Sequence, residues 1–145
     1  MSFKRTLCTA LLGLCSLPAI SQSIQDSGSA AVTIVADEHE ITAKMDLVMN
    51  RAVAFSELEL AVVMVESQVF ALKSSSNFKR DIEAAKKLGV QFYVCQADLQ
   101  MYKVSEASLM SKVRVVKDSH TTNVSGFYKH QSTINRICQT RKESI

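Results

Sequence analysis

Glycine and proline are scarce in this 145-residue chain, which has four glycines and one proline. Phosphate-binding loops, dinucleotide-binding turns and Gly-x-Ser-x-Gly elbows need glycines at fixed spacings, because the backbone turns tightly or approaches a ligand closely. None of these motifs occurs in the sequence. Metal-ligand spacings such as Cys-x-x-Cys and His-x-x-x-His are missing too, so we expect neither a cofactor nor a metal ion.

The N-terminus has the anatomy of an export signal. Lys4 and Arg5 precede a largely apolar stretch over residues 7–20, and Ala19-Ile20-Ser21 matches a small-residue cleavage site. This order predicts a secretory signal peptide over residues 1–21, and the alternative interpretation is a buried core helix. The apolar stretch is too short to span a bilayer, so we expect no membrane span after cleavage.

Without its signal peptide the chain has almost no net charge. Residues 22–145 contain 15 Lys and Arg against 14 Asp and Glu, a balance that offers no electrostatic attraction to nucleic acid. Export across the inner membrane would bring the chain to the periplasm, where disulfides form and persist. The length is that of one ordinary domain. We expect a flexible lead-in over residues 22–30 and one domain over residues 31–145.

Apolar residues alternate between two periodicities along this domain. Short β-branched runs predict strands over residues 31–36, 58–65, 91–94 and 113–116, and spacings of three and four predict helices over residues 41–55, 78–88 and 97–102. Strands that alternate with helices predict a parallel sheet, here in a single three-layer α/β domain with a flavodoxin-like sheet. The C-terminal residues 124–145 are harder to assign, because residues 133–138 fit either an edge strand or a frayed helix.

Cys95 lies where a predicted buried strand meets the next helix. In open α/β sheets, ligands and chemistry gather at the carboxyl ends of the strands. The N–H groups of the following helix favour a thiolate at this position. Three interpretations stay open: a reactive sulfur-accepting or redox thiol, a disulfide with Cys138, or an inert buried cysteine.

Cys138 stands among three basic residues, Arg136, Arg141 and Lys142. Positive charge favours the thiolate of an exposed cysteine. Cys138 is therefore a candidate resolving thiol, or disulfide partner, for Cys95. The alternative is an ordinary cysteine in a C-terminal tail.

Two histidines follow predicted strands and are candidates to approach Cys95. His39 comes after the first strand and His120 after the fourth, and a Cys–His pair would activate the thiol. The ordinary interpretation is that both are surface loop residues. For His130 the sequence indicates no partner.

Acidic residues also fall at predicted strand ends, namely Asp37, Glu38 and Glu66. Carboxylates beside Cys95 would raise the pKa of its thiol and oppose the activation described above. Solvated turn residues are the favoured interpretation of all three.

The order of elements around Cys95 is similar to that of a known family. The matching features are an apolar strand over residues 60–65, the helix end Lys87-Leu88-Gly89-Val90, the strand Phe92-Tyr93-Val94-Cys95, a short helix from Ala97, and the strand Val113-Arg114-Val115-Val116. With these features, residues 58–116 resemble the DsrE/DsrF-like family, which includes the TusD-type sulfur-relay subunits. The resemblance implies a compact α/β fold, assembly into homo-oligomers, and a Cys95 that accepts persulfide sulfur.

The expected function is sulfur carriage or thiol exchange by an exported protein acting through Cys95. Its partner would be a sulfur donor or acceptor protein or a small thiol, and any enzymatic activity would be sulfurtransferase-like. The alternative is a non-enzymatic homo-oligomeric binding or scaffolding module, in which Cys95 is structural, with or without a bridge to Cys138. The two classes differ in the reactivity of Cys95, because an activated thiol is alkylated rapidly in the folded protein.

Overall fold

The computed structural model describes the backbone of residues 24–26 together with residues 30–117 and 130–145. The strands are β1 (Ile24–Asp26), β2 (Ala30–Val35), β3 (Glu59–Met64), β4 (Gln91–Cys95) and β5 (Arg114–Val116). The α-helices are α1 (Ile41–Ala54), α2 (Lys79–Lys87), α3 (Gln96–Met101) and α4 (Gln131–Glu143). Short 3-10 helices span Glu38–Glu40, Glu66–Leu72 and Glu106–Ser108. The predicted signal peptide and His120 lie outside the described residues.

The five strands form one sheet in the order β1-β2-β3-β4-β5. Strands β2 to β5 are parallel, whereas β1 pairs antiparallel with β2. Strand β1 falls within residues 22–30, for which the sequence predicts a flexible lead-in. Pairing with β1 gives hydrogen-bond partners to an edge of β2 that would otherwise be open.

The predicted fold class is confirmed as a three-layer α/β arrangement with a mostly parallel sheet, consistent with a flavodoxin-like fold. The parallel strands follow one another in chain order, and right-handed crossovers repeated in one direction put the connecting helices on one face of the sheet. Ile41 and Met45 of α1 and Ile82 of α2 pack there against Val62 and Phe92. Helix α4 covers the opposite face.

The buried strands explain the long apolar run that the sequence shows. Leu60 to Met64 of β3 are all buried, because a central parallel strand is covered by helices on both faces. Helix α2 is followed by its C-cap residue Leu88 and by Gly89, whose φ of 89° is a left-handed conformation that glycine adopts without a Cβ clash. Strand β4 begins shortly after Gly89, and its carboxyl end leads directly into α3.

Residues 133–138, which the sequence left between edge strand and frayed helix, lie inside α4. The edge-strand alternative is therefore wrong. Ile134 and Cys138 are buried on one side of α4, and Ile137 packs beside them, the spacing of an amphipathic helix. This periodicity was hard to recognise because the inward face of the helix has only these three apolar side chains. None of the helices in the described part of the chain is long and apolar enough to cross a membrane.

Candidate functional site

A disulfide between Cys95 and Cys138 joins the sheet to its outer helix. The two Cα atoms are 5.3 Å apart and the cysteines are separated by 43 positions in sequence. Cys95 is the last residue of β4 and the N-cap residue of α3, while Cys138 lies within α4. Of the three interpretations of Cys95, the structure therefore has the disulfide with Cys138.

The disulfide adjoins a cavity at the carboxyl edge of the sheet. Both cysteines line this cavity, whose volume is about 590 Å³, within the range of small-molecule sites. Its walls carry four carboxamide side chains, two lysines and one carboxylate, namely Gln96, Gln100, Asn135, Gln139, Lys117, Lys142 and Glu143. Cys95 is 1% exposed and Cys138 is 8% exposed, so Cys138 presents the more accessible residue to this space.

An ion pair between Asp98 and Arg141 lies beside the disulfide. Arg141 Nη2 donates to Asp98 Oδ1 at 2.9 Å, and Arg141 Nε donates to the two Asp98 oxygens at 3.2 and 3.4 Å. The Asp98 carboxylate is fully buried, with 0% of its side chain exposed. Its hydrogen bonds raise the pKa of Arg141, because they favour the charged guanidinium. The pair therefore links α3 to α4 by a second, ionic connection.

Glu66 joins the same network from the end of β3. Arg141 Nη1 donates to Glu66 Oε1 at 3.3 Å. Glu66 has a φ of 57°, a left-handed conformation that costs a side-chain-bearing residue about 1–2 kcal/mol. Lys103 and Lys112 adopt the same conformation outside this network. Arg141 is shared between two carboxylates, the buried one of Asp98 and the more exposed one of Glu66.

His130 is the N-cap residue of α4, so its contacts hold the N-terminal end of this helix. Its Nε2 lies 3.0 Å from the hydroxyl of Tyr93, which donates to Gln91 Oε1 at 2.8 Å. Glu59 Oε2 is 3.8 Å from His130 Nδ1. Burial lowers the pKa of His130, and the Glu59 carboxylate opposes this effect in part. The structure thus supplies the partner that the sequence did not indicate.

Strand β4 presents Tyr93 and Cys95 to α4. Tyr93 and Cys95 are two residues apart, so they point to the same face of the sheet. Helix α4 is consequently attached by His130 at its start, Cys138 in its second half and Arg141 near its end.

His39 does not join this group. His39 is exposed in the 3-10 helix Glu38–Glu40, where its backbone N–H donates to Asp37 Oδ1 at 2.9 Å. It does not line the cavity beside the disulfide. Within residues 30–117 and 130–145, no group of His, Cys, Asp and Glu residues has the arrangement of a metal site.

Sequence reasoning missed Asp98, and it named Arg141 only as a basic neighbour of Cys138, without its ionic partner. Each follows a cysteine at the same distance, three positions after Cys95 and three positions after Cys138. On a helix, residues three apart lie on neighbouring positions of one face. Opposite charges at this matched spacing were therefore a signal that the two helices face each other.

Fold and site together define a three-layer α/β domain with a disulfide at the carboxyl edge of its parallel sheet. No family model matches the chain, and no curated protein matches it. Among solved structures, the chain is similar to a protein of unknown function, MTH1491 from Methanobacterium thermoautotrophicum. The identity is 19%, the TM-score is 0.55, and the match covers 78% of this chain and 88% of that one. A likeness at this identity shows the fold alone.

Proposed function

We propose that this chain is a thiol-exchange protein in which Cys95 and Cys138 alternate between a disulfide and a dithiol. The observation that carries the proposal is the position of the disulfide, at the carboxyl edge of a parallel sheet and in the wall of a cavity of about 590 Å³. Ligand sites of open α/β sheets concentrate at this edge. A small thiol that enters the cavity reaches sulfur atoms that are otherwise almost covered.

The exchange begins at Cys138. The incoming thiolate attacks Cys138 Sγ, because Cys138 is more exposed than Cys95. The Cys95–Cys138 bond breaks, and Cys95 leaves as a thiolate at the N-cap position of α3, where free N–H groups favour negative charge. A second thiolate then attacks the sulfur of the bound thiol, forms a disulfide with it and releases Cys138. Two external thiols are oxidised, and the protein disulfide takes up their electrons and two protons.

Sulfur carriage through Cys95 is the weaker form of this proposal. A persulfide on Cys95 would stand within bonding distance of Cys138, since the two sulfurs form a disulfide in the folded chain. The Cys138 thiolate would attack the inner sulfur of that persulfide, and hydrosulfide would leave as the disulfide formed. The pair therefore discharges a persulfide more readily than it stores one. Membership of the DsrE/DsrF-like family stays a proposal that rests on the sequence resemblance.

An exported location agrees with this chemistry. A disulfide persists in oxidising compartments such as the periplasm, and the predicted signal peptide over residues 1–21 would direct the chain there. We therefore propose a periplasmic protein whose partners are small thiols or thiol-bearing proteins. Assembly into homo-oligomers is proposed from the family resemblance.

One alternative function has an observation in its favour. Cys95 is almost completely buried, as expected of a disulfide that only fastens α4 to the sheet. The chain would then be a homo-oligomeric binding module. Val53 and Phe55, which are 72% and 61% exposed at the end of α1, would be part of its contact surface.

Single-cysteine variants separate the two functions. Cys95→Ala leaves Cys138 beside the cavity, and we expect it to form a mixed disulfide with oxidised glutathione in the folded protein. Cys138→Ala leaves the more deeply buried Cys95, and we expect its reaction to be at least tenfold slower. In the matched control, both variants are treated in 8 M urea, where their rates should become similar. Equal resistance of both folded variants, lost only in urea, would favour the binding module.

A further inference from the structure

The ion pair between Asp98 and Arg141 repeats the geometry of the disulfide. Cys95 is the N-cap residue of α3 and Asp98 lies in its first turn, while Cys138 and Arg141 are one turn apart in α4. The disulfide therefore connects α4 to the end of β4, and the ion pair connects α4 to the first turn of α3. Three hydrogen bonds join Arg141 to the carboxylate of Asp98, and that carboxylate has no exposed surface.

We infer that Asp98 and Arg141 are positioning residues that keep α4 on the sheet in the dithiol state, so that Cys138 stays within reach of Cys95. This inference rests on the proposed thiol exchange, because it concerns the half of the cycle in which the disulfide is open. The ion pair would then set how readily the disulfide forms again.

Among the described residues, the other contacts of α4 with the sheet are mainly apolar. Its buried apolar contacts with the sheet come from Ile134 and from Cys138 itself, with Ile137 packed at their side. His130 holds only the start of the helix, through Tyr93. In the second half of α4, which carries Cys138, Arg141 makes the ion pair that connects the helix to α3.

The charge pair is suited to this role because of its burial. If α4 lost Arg141, the carboxylate of Asp98 would remain buried without its partner, and removal of one partner of a buried pair is strongly destabilising. In the oxidised protein the disulfide holds α4 whether or not Arg141 is present. The dithiol protein lacks this covalent link. When the ion pair is broken, α4 is therefore expected to detach in the dithiol protein and to stay in place in the oxidised protein.

The test compares thiol–disulfide equilibria of variants in buffers of reduced and oxidised glutathione. We expect Arg141→Met to shift the equilibrium towards the dithiol by at least tenfold. Asp98→Asn should shift it in the same direction by a smaller factor, and Arg141→Lys should recover part of the loss. Arg136→Met is the matched control, since Arg136 is an exposed arginine of the same helix, and it should stay within twofold of the wild type.

Amide hydrogen exchange of α4 gives a second readout that a general loss of stability would not reproduce. In Arg141→Met, protection of α4 should be retained in the oxidised protein and lost in the dithiol. An equilibrium within twofold of the wild type, with α4 still protected in the dithiol variant, would overturn the positioning role alone. If the wild-type disulfide resists glutathione in the folded state, the proposed exchange and the positioning role both fail.

Discussion

Reduction of the Cys95–Cys138 disulfide should destabilise the protein by about 4 kcal/mol. The bond closes a loop between cysteines that are 43 positions apart. In the chain-entropy description, a closed loop of this length lowers the entropy of the unfolded chain by about 13 cal/mol/K, which is about 4 kcal/mol at 25 °C. Reduction removes no side chain and opens no cavity, so the change in the free energy of unfolding arises from the unfolded state and from the freedom of α4.

Urea unfolding at pH 7 measures this difference, with and without dithiothreitol. A slope of about 1.5 kcal/mol per molar urea is usual for small domains, so the midpoint should fall by roughly 2–3 M on reduction. The double variant Cys95→Ala/Cys138→Ala is the control, because dithiothreitol should leave its midpoint unchanged. If reduction lowered the free energy of unfolding by less than about 1 kcal/mol, the reasoning would be refuted, since the bond would then not restrict the unfolded chain.

Two further predictions concern groups at other points of the domain. Because burial lowers the pKa of His130, the unfolded chain binds a proton at this residue before the folded protein does. The contribution of His130 to the free energy of unfolding should therefore be fully present above about pH 6.5 and should decrease as the pH falls below that value. Between about pH 7.5 and 5.5, the urea midpoint of His130→Gln should depend less on pH than that of the wild type. Gly89→Ala should lower the free energy of unfolding by about 1 kcal/mol, because a residue with a Cβ is strained at a φ of 89°. No atom lies close enough to clash with the added Cβ, so the backbone conformation alone accounts for this change. Gly89→Asn should lose less in the same urea assay, and equal stability of Gly89→Ala and the wild type would contradict the conformational explanation.

The part of the fold that could be predicted is the part whose signal is local. Strand β3 and helices α1 and α2 are recognisable because each has a continuous or periodic apolar pattern of its own. Helix α4 has only Ile134, Ile137 and Cys138 on its inward side. Its position depends more on bonds to distant residues, which no window of sequence contains.

The candidate site shows the same division. The placement of Cys95 at the end of a strand and the start of a helix followed from the apolar run before it. Its pairing with Cys138 could be named only as one of three possibilities, because the choice depends on how α4 crosses the sheet 43 positions later. The contact between Tyr93 and His130 spans 37 positions and was inaccessible for the same reason.

The reduction potential of the Cys95–Cys138 pair in the folded protein tests the central claim most directly. The protein would be equilibrated in glutathione buffers of defined potential, quenched with acid, alkylated and analysed by intact mass. Thiol exchange predicts a potential above about −300 mV, in the range of roughly −120 to −270 mV that thiol-exchange proteins cover. A potential below about −300 mV, with reduction only after unfolding in urea, would contradict the claim and leave the disulfide as a structural link between α4 and the sheet.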